Sequence, residues 1–272
     1  MLLLVLTNLD KGTAWAGQPL LESSKRRIEA LSAFWPIGLV LSTISYLASY
    51  LVTSTLKVGS ASVISVPLGL AVGVVLAGVV FLVSARFPIG RFQLLTPEPH
   101  FASRLESLLD SLGGTVGIDQ VSFAVVESDL PNVGSLYNGR MPTIIFTSAA
   151  VGFFNRVELE AVVARELIRI KSGVCQFEAR LAYVRGITGL ISGGAPKALS
   201  IKSAARVGLA DVSGVAVTRY PPALASALTR LMEIESLSQP SSRAFKVTAA
   251  SWLVPALPGI SLGERIAELK LL

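Results

Sequence analysis

The sequence predicts an α+β fold class in which an N-terminal two-helix transmembrane hairpin precedes a domain with a small sheet and a long central helix. Three observations lead there. The 272 residues are 51% hydrophobic and only 15% charged, with a mean hydropathy of +0.62, more apolar than an ordinary globular domain. Two runs, 30–56 and 58–85, contain no charged residue, and each exceeds the ~20 apolar residues that cross a hydrocarbon core. From about Pro97 onward, helical stripes alternate with short segments rich in β-branched residues.

Lys57, beside the small residues of "VGSAS", marks the turn between the two runs. Pro36 and Pro67 fall near their starts, where a helix tolerates proline best. Lys25, Arg26 and Arg27 precede the first run, and Arg86 and Arg91 follow the second. The positive-inside rule then places both termini and the main domain in the cytoplasm of an integral membrane protein, with the lipid bilayer as a partner. The start of the chain has no positive n-region, and Asp10 and Lys11 interrupt its apolar run before the A-x-A at Ala14–Ala16, so it does not read as a signal peptide. The chain thus divides into a cytoplasmic segment 1–29, a hairpin 30–86 and a domain 95–272.

The single cysteine, Cys175, excludes an internal disulfide framework and fits a reducing compartment. The formal charge of +6 comes from scattered lysines and arginines. No aromatic-interleaved basic stripe accompanies it, which argues against nucleic acid as a partner.

Within the domain, "HFASRLESLLDSLGG" places Phe101, Leu105, Leu108, Leu109 and Leu112 on one helical face, with Gly113 and Gly114 as the stop. "QVSFAVVES" alternates as a strand does. "DLPNVGSLYNGRMP" reads as turn chemistry around a short strand, with Asn138-Gly139 as the hairpin signal, and "TIIFTS" as the next strand. A helix follows from its N-cap, Asn155, with Glu158 as the capping partner, to Gly173.

Leu159, Val162, Val163, Leu167 and Ile170 form the buried stripe of that helix, and at about 100° per residue Glu166 falls inside it. Arg169 lies on one flank and Arg165 just beyond. A carboxylate on a buried face is costly unless a metal, a cation or a water-filled cleft faces it.

The ordered set of "PNVGSLYNG", "TIIFTSAAVGFF", "NRVELEAVVARELIRIKSG", "LADVSGVAVTRYPPALASAL" and "LGERIAELKLL" resembles the HtpX-like membrane zinc metallopeptidases, relatives of the CAAX prenyl proteases. The resemblance covers roughly residues 98–272 and implies a zincin-like domain around an active-site helix. In that family the helix reads H-E-x-x-H, a later helix reads E-x-x-A-D, and a terminal helix contains E-R-I. On this chain the two histidine ligands fall on Arg165 and Arg169, and the third ligand, a glutamate, falls on Val207. The general-base position is kept as Glu166 and the motif aspartate as Asp211.

The only histidine is His100, so H-E-x-x-H cannot be met. Arginine and valine offer a metal no lone pair, whereas a catalytic zinc needs three protein ligands and an open position. The family implies zinc, yet no metal cofactor is expected here. Glu166 would be vestigial. Neither His100 nor Cys175 belongs to another cluster at ligand spacing.

Two arrangements of the arginines stay open. Arg165 pairs with Asp211 and Arg169 covers Glu166, or both simply point to solvent. The resemblance implies a pseudopeptidase acting as adaptor or regulator in membrane-protein quality control, binding membrane-protein segments or a peptidase partner. The alternatives are an active zinc metalloendopeptidase with non-standard ligands and a structural subunit of a membrane complex. In the family, substrate lies along an edge strand, here within "TIIFTS" or "VGSLYNG", unless the "GGAPK" loop or the hairpin covers it.

Overall fold

The computed structural model of the chain describes residues 42–52, 54–55, 61–84, 89–138, 140–192, 197–235, 243–254 and 261–272. Helix α1 covers 42–52 and α2 covers Ala61–Ser84. A short strand, β1 (Leu94–Leu95), leads to α3 (Pro99–Val116), and three strands follow: β2 (Ser122–Val126), β3 (Val133–Tyr137) and β4 (Pro142–Thr147). The helices α4 (Arg156–Lys171), α5 (Val174–Ser192), α6 (Lys197–Thr218), α7 (Pro221–Glu235), α8 (Arg243–Val247) and α9 (Leu262–Lys270) complete the order.

The four strands form one sheet in the order β1-β2-β4-β3. β2 runs parallel to β4, while β1 and β3 run antiparallel to their neighbours. The β3–β4 hairpin closes where the sequence marks it, because the Asn138 side-chain oxygen accepts from the amides of Arg140 and Met141 at 2.9 and 3.0 Å. Of the two stretches expected to supply the edge, only "VGSLY" does so. β2 occupies the far side of β4, which makes "TIIFT" an interior strand.

The period-2 alternation of β4 sends its side chains into two cores. Ile144 and Phe146 join Leu105, Val162, Val163, Leu167, Leu224 and Ile266 in the larger one. Ile145 joins Phe92, Leu136, Phe245 and Trp252 in the smaller one. Full burial of a side chain such as Phe146 contributes about 1.5–3 kcal/mol.

α3 does not stop at Gly113 and Gly114. It continues to Gly117, whose left-handed backbone (φ 76°) lets the amides of Gly117 and Ile118 close on the Gly113 carbonyl at 2.7 and 2.9 Å. Glycine inside a helix weakens it without ending it; the positive φ ends it.

Among the described residues no helix is long and apolar enough to cross a membrane. This overturns the transmembrane hairpin over 30–86, and with it the integral-membrane placement inferred from the flanking lysines and arginines. Absence of charge along a sequence measures composition, whereas a span needs continuous, uniformly apolar helix. The described part of the first run, 42–52 and 54–55, is helical. α2 contains Pro67 and directs small residues against α1. A Cβ on Gly69 or Gly73 would lie 2.5 Å from the Cα of Tyr46 or of Ser42. The Ser49 hydroxyl donates to the Ser65 carbonyl at 3.2 Å. Residues 1–29, the first part of the expected hairpin and loop residues 193–196 of "GGAPK" lie outside the described residues.

Candidate functional site

α4 starts as its sequence dictates. The Asn155 side chain accepts from the Glu158 amide at 2.9 Å, and the Glu158 carboxylate accepts from the Asn155 amide at 3.0 Å, a reciprocal capping box. Glu158 is itself buried and also accepts from the Ser226 hydroxyl at 2.7 Å and Arg230 at 2.6 Å. The Arg230 guanidinium lies 4.4 Å from the Phe153 ring centroid. These bonds fix the entry of α4 against α7.

Every residue from Ala161 to Leu167 is buried, so α4 has no solvent face along this stretch. Three arginines and two carboxylates meet there. Arg165, at 0% exposure, donates through Nε to Asp211 Oδ1 at 2.7 Å and through Nη1 to Glu166 Oε1. Arg169 donates through Nη1 to Glu166 Oε2 at 3.1 Å and to the Ser251 carbonyl at 2.6 Å. Arg265, from α9, grips Asp211 with two bonds, Nε to Oδ2 at 2.6 Å and Nη2 to Oδ1 at 2.9 Å, and reaches the Leu253 carbonyl at 2.7 Å.

Of the two arrangements open to the sequence, the paired one forms: Arg165 with Asp211 and Arg169 with Glu166. The solvent-facing one does not, since Arg165 and Arg169 are both buried. α6 can bring Asp211 this close because Gly214 has no side chain. A Cβ there would sit 2.6 Å from the Arg165 Cα. Val207 is buried on α6 four residues before Asp211 and contributes only methyl groups.

The electrostatics follow from these contacts. Burial alone would pull the Arg165 pKa down, but the adjacent Glu166 and Asp211 charges outweigh it and hold the guanidinium above its ordinary value. Burial pushes Asp211 up, and Arg165 and Arg265 together bring it below the usual carboxylate range. Arg265 is lowered, with burial as the main cause; it has Asp211 in its favour and the like charge of Arg165 against it. Guanidinium–carboxylate bonds of this bidentate kind are the strong, directional ones.

These residues do not fit a zinc ion. Both oxygens of Glu166 and both of Asp211 already accept from guanidinium groups, Val207 has no donor atom, and arginine has no lone pair to give. Among the described residues no group of three or more His, Cys, Asp or Glu side chains could hold a metal ion.

His100 stays exposed at the start of α3. Cys175 is buried and its thiol is pushed up to about 12 by burial, the environment of a packing residue rather than a nucleophile.

Two site members were not read from the sequence. Arg265 sits in the buried stripe of Leu262, Ile266 and Leu269, the same signal that singled out Glu166. Asn132, before β3, acts as a peptide-like clamp. Its side chain donates to the Val254 carbonyl at 3.0 Å and accepts from the Val254 amide at 3.1 Å.

No protein-family model matches the chain, and no curated protein sequence matches it.

Proposed function

We propose that the chain is a pseudopeptidase related to the HtpX-like zinc metallopeptidases, acting by binding other proteins as an adaptor or regulator of protein quality control. One observation carries this reading. The helix that resembles H-E-x-x-H has guanidinium groups bonded to both oxygens of the glutamate at the base position. A general base must be free to take a proton from water, and Glu166 is buried beneath two arginines instead. The cluster resembles a charge replacement for a metal centre, with side-chain cations neutralising carboxylates that a divalent ion would neutralise in the family.

The test is metal analysis of purified protein together with a casein-cleavage assay. The reading expects substoichiometric zinc and no cleavage that chelator abolishes. Stoichiometric zinc with chelator-sensitive cleavage would overturn it in favour of an active metalloendopeptidase.

A further inference from the structure

Away from the ion cluster, a groove of about 530 Å³ opens between the start of α7 and the end of α9, within the roughly 300–1,000 Å³ typical of small-molecule sites. Its aliphatic lining comes from Pro221, Pro222, Ala225, Leu269 and Leu272. The two prolines head α7 and have no N–H, so this end of the helix adds carbon surface rather than amide donors. The hydroxyls of Ser226 and Thr229 also line the groove, but they donate to Glu158 and to the Ala225 carbonyl.

Two cations complete the lining, and no lining side chain is acidic. Arg230 is held in place on one side, with Nη1 on Glu158 Oε2 at 2.6 Å and the guanidinium 4.4 Å from the Phe153 ring centroid. Its side chain is nevertheless 41% exposed, which leaves the other N–H groups of its five-donor fork to water. Lys270, at the end of α9, is exposed and has no ion-pair partner among the described residues. Glu158 already balances the charge of Arg230. Lys270 therefore supplies the uncompensated charge, and Arg230 supplies directional donors whose position is already fixed.

A neutral apolar molecule would leave both cations without a partner, and a bare inorganic anion would leave the aliphatic lining in water. A carboxylate on an unbranched alkyl chain meets both. Its two oxygens suit a guanidinium edge, and its chain covers carbon surface. We infer that the α7–α9 groove binds a medium-chain fatty acid, with Arg230 and Lys270 holding the carboxylate and the five aliphatic residues covering the chain. The inference does not depend on the pseudopeptidase reading. An occupied groove also ties α7 to α9, the helix that brings Arg265 to Asp211.

The test is calorimetric titration of the full chain with decanoate and octanoate below their micelle concentrations, with octanol as the uncharged control. Decanoate should saturate about one site per chain, and each added CH₂ should tighten binding by up to about fourfold. Lys270→Glu replaces an exposed attraction by a repulsion and should weaken decanoate about fivefold without moving the melting temperature. Arg230→Lys keeps the charge but loses the fork, and it should weaken decanoate as well. Octanol binding as tightly as octanoate would overturn the site, because it would report apolar surface alone. Unchanged decanoate affinity in Lys270→Glu, or no saturable binding to the wild-type chain, would overturn it too. A short peptide ending in a free leucine carboxylate is the other source of this chemistry. Tighter binding of that peptide than of decanoate would overturn the fatty-acid assignment.

Discussion

Arg165 and Asp211 are 46 positions apart in sequence, yet Nε of one lies 2.7 Å from Oδ1 of the other with neither side chain reaching solvent. The pair joins α4 to α6, and Arg265 then ties α9 to the same carboxylate. Three helices thus converge on one aspartate. Taking these charges out of water is expensive, and bidentate geometry is what offsets it.

Removing that aspartate should therefore be severe. Asp211→Asn leaves Arg165 and Arg265 buried without their shared counter-charge, and breaking a buried ion pair costs about 3–5 kcal/mol. Urea unfolding of the variant should show a midpoint lowered to match, with an unchanged slope. A loss below about 1 kcal/mol, the range of exposed pairs, would mean the cluster is not a stabilising element.

Acid should act through the same group. The Asp211 pKa is depressed in the folded chain, so its contribution is fully present above the unfolded carboxylate value of about 3.9 and is lost as pH falls through the lower folded value. Stability measured from pH 6 downward should fall steeply below about pH 4. Asp211→Asn should flatten part of that fall. A parallel pair of curves would show that other carboxylates carry the acid dependence.

The sequence made much of this cluster legible because a charged residue inside an apolar helical stripe must meet a partner. That logic applies to Glu166, and equally to Arg265, which lies between Leu262 and Ile266 in the buried stripe of the short last helix. It could not reveal the Ser251 and Leu253 carbonyls, since backbone acceptors leave no mark on residue type. The hairpin failed for a related reason. Charge-free composition over 30–56 and 58–85 is shared by spanning helices and by helices that pack on each other through small residues such as Gly69 and Gly73.

Gly214 offers a steric test of the α4–α6 contact. A methyl group there would lie 2.6 Å from the Arg165 Cα and 2.8 Å from its Cβ, and neither belongs to a side-chain end that can swing away. Gly214→Ala should destabilise by about 1–3 kcal/mol through overpacking. Gly114, a helical glycine of α3 with nothing within 4 Å of its would-be Cβ, provides the control. Gly114→Ala should stabilise by about 0.5–1 kcal/mol. Thermal or urea midpoints moving in the same direction for both would contradict the close packing.

The proposed kinship makes a constructive prediction. If Arg165, Arg169 and Val207 stand at the family's ligand positions, then Arg165→His, Arg169→His and Val207→Glu together supply two imidazoles one helical turn apart and a carboxylate from α6, a three-ligand set with room for water. The triple variant should bind about one zinc per chain, whereas the Arg165→His, Arg169→His double variant, lacking the third ligand, should bind more weakly. Zinc should also raise the melting temperature of the triple variant in proportion to its affinity, because metal that binds only the folded state stabilises it by mass action. The wild-type chain should show no such shift with zinc or with chelator. A folded triple variant that ignores zinc would show that these three positions do not converge as ligands, and the proposed kinship would lose its principal support.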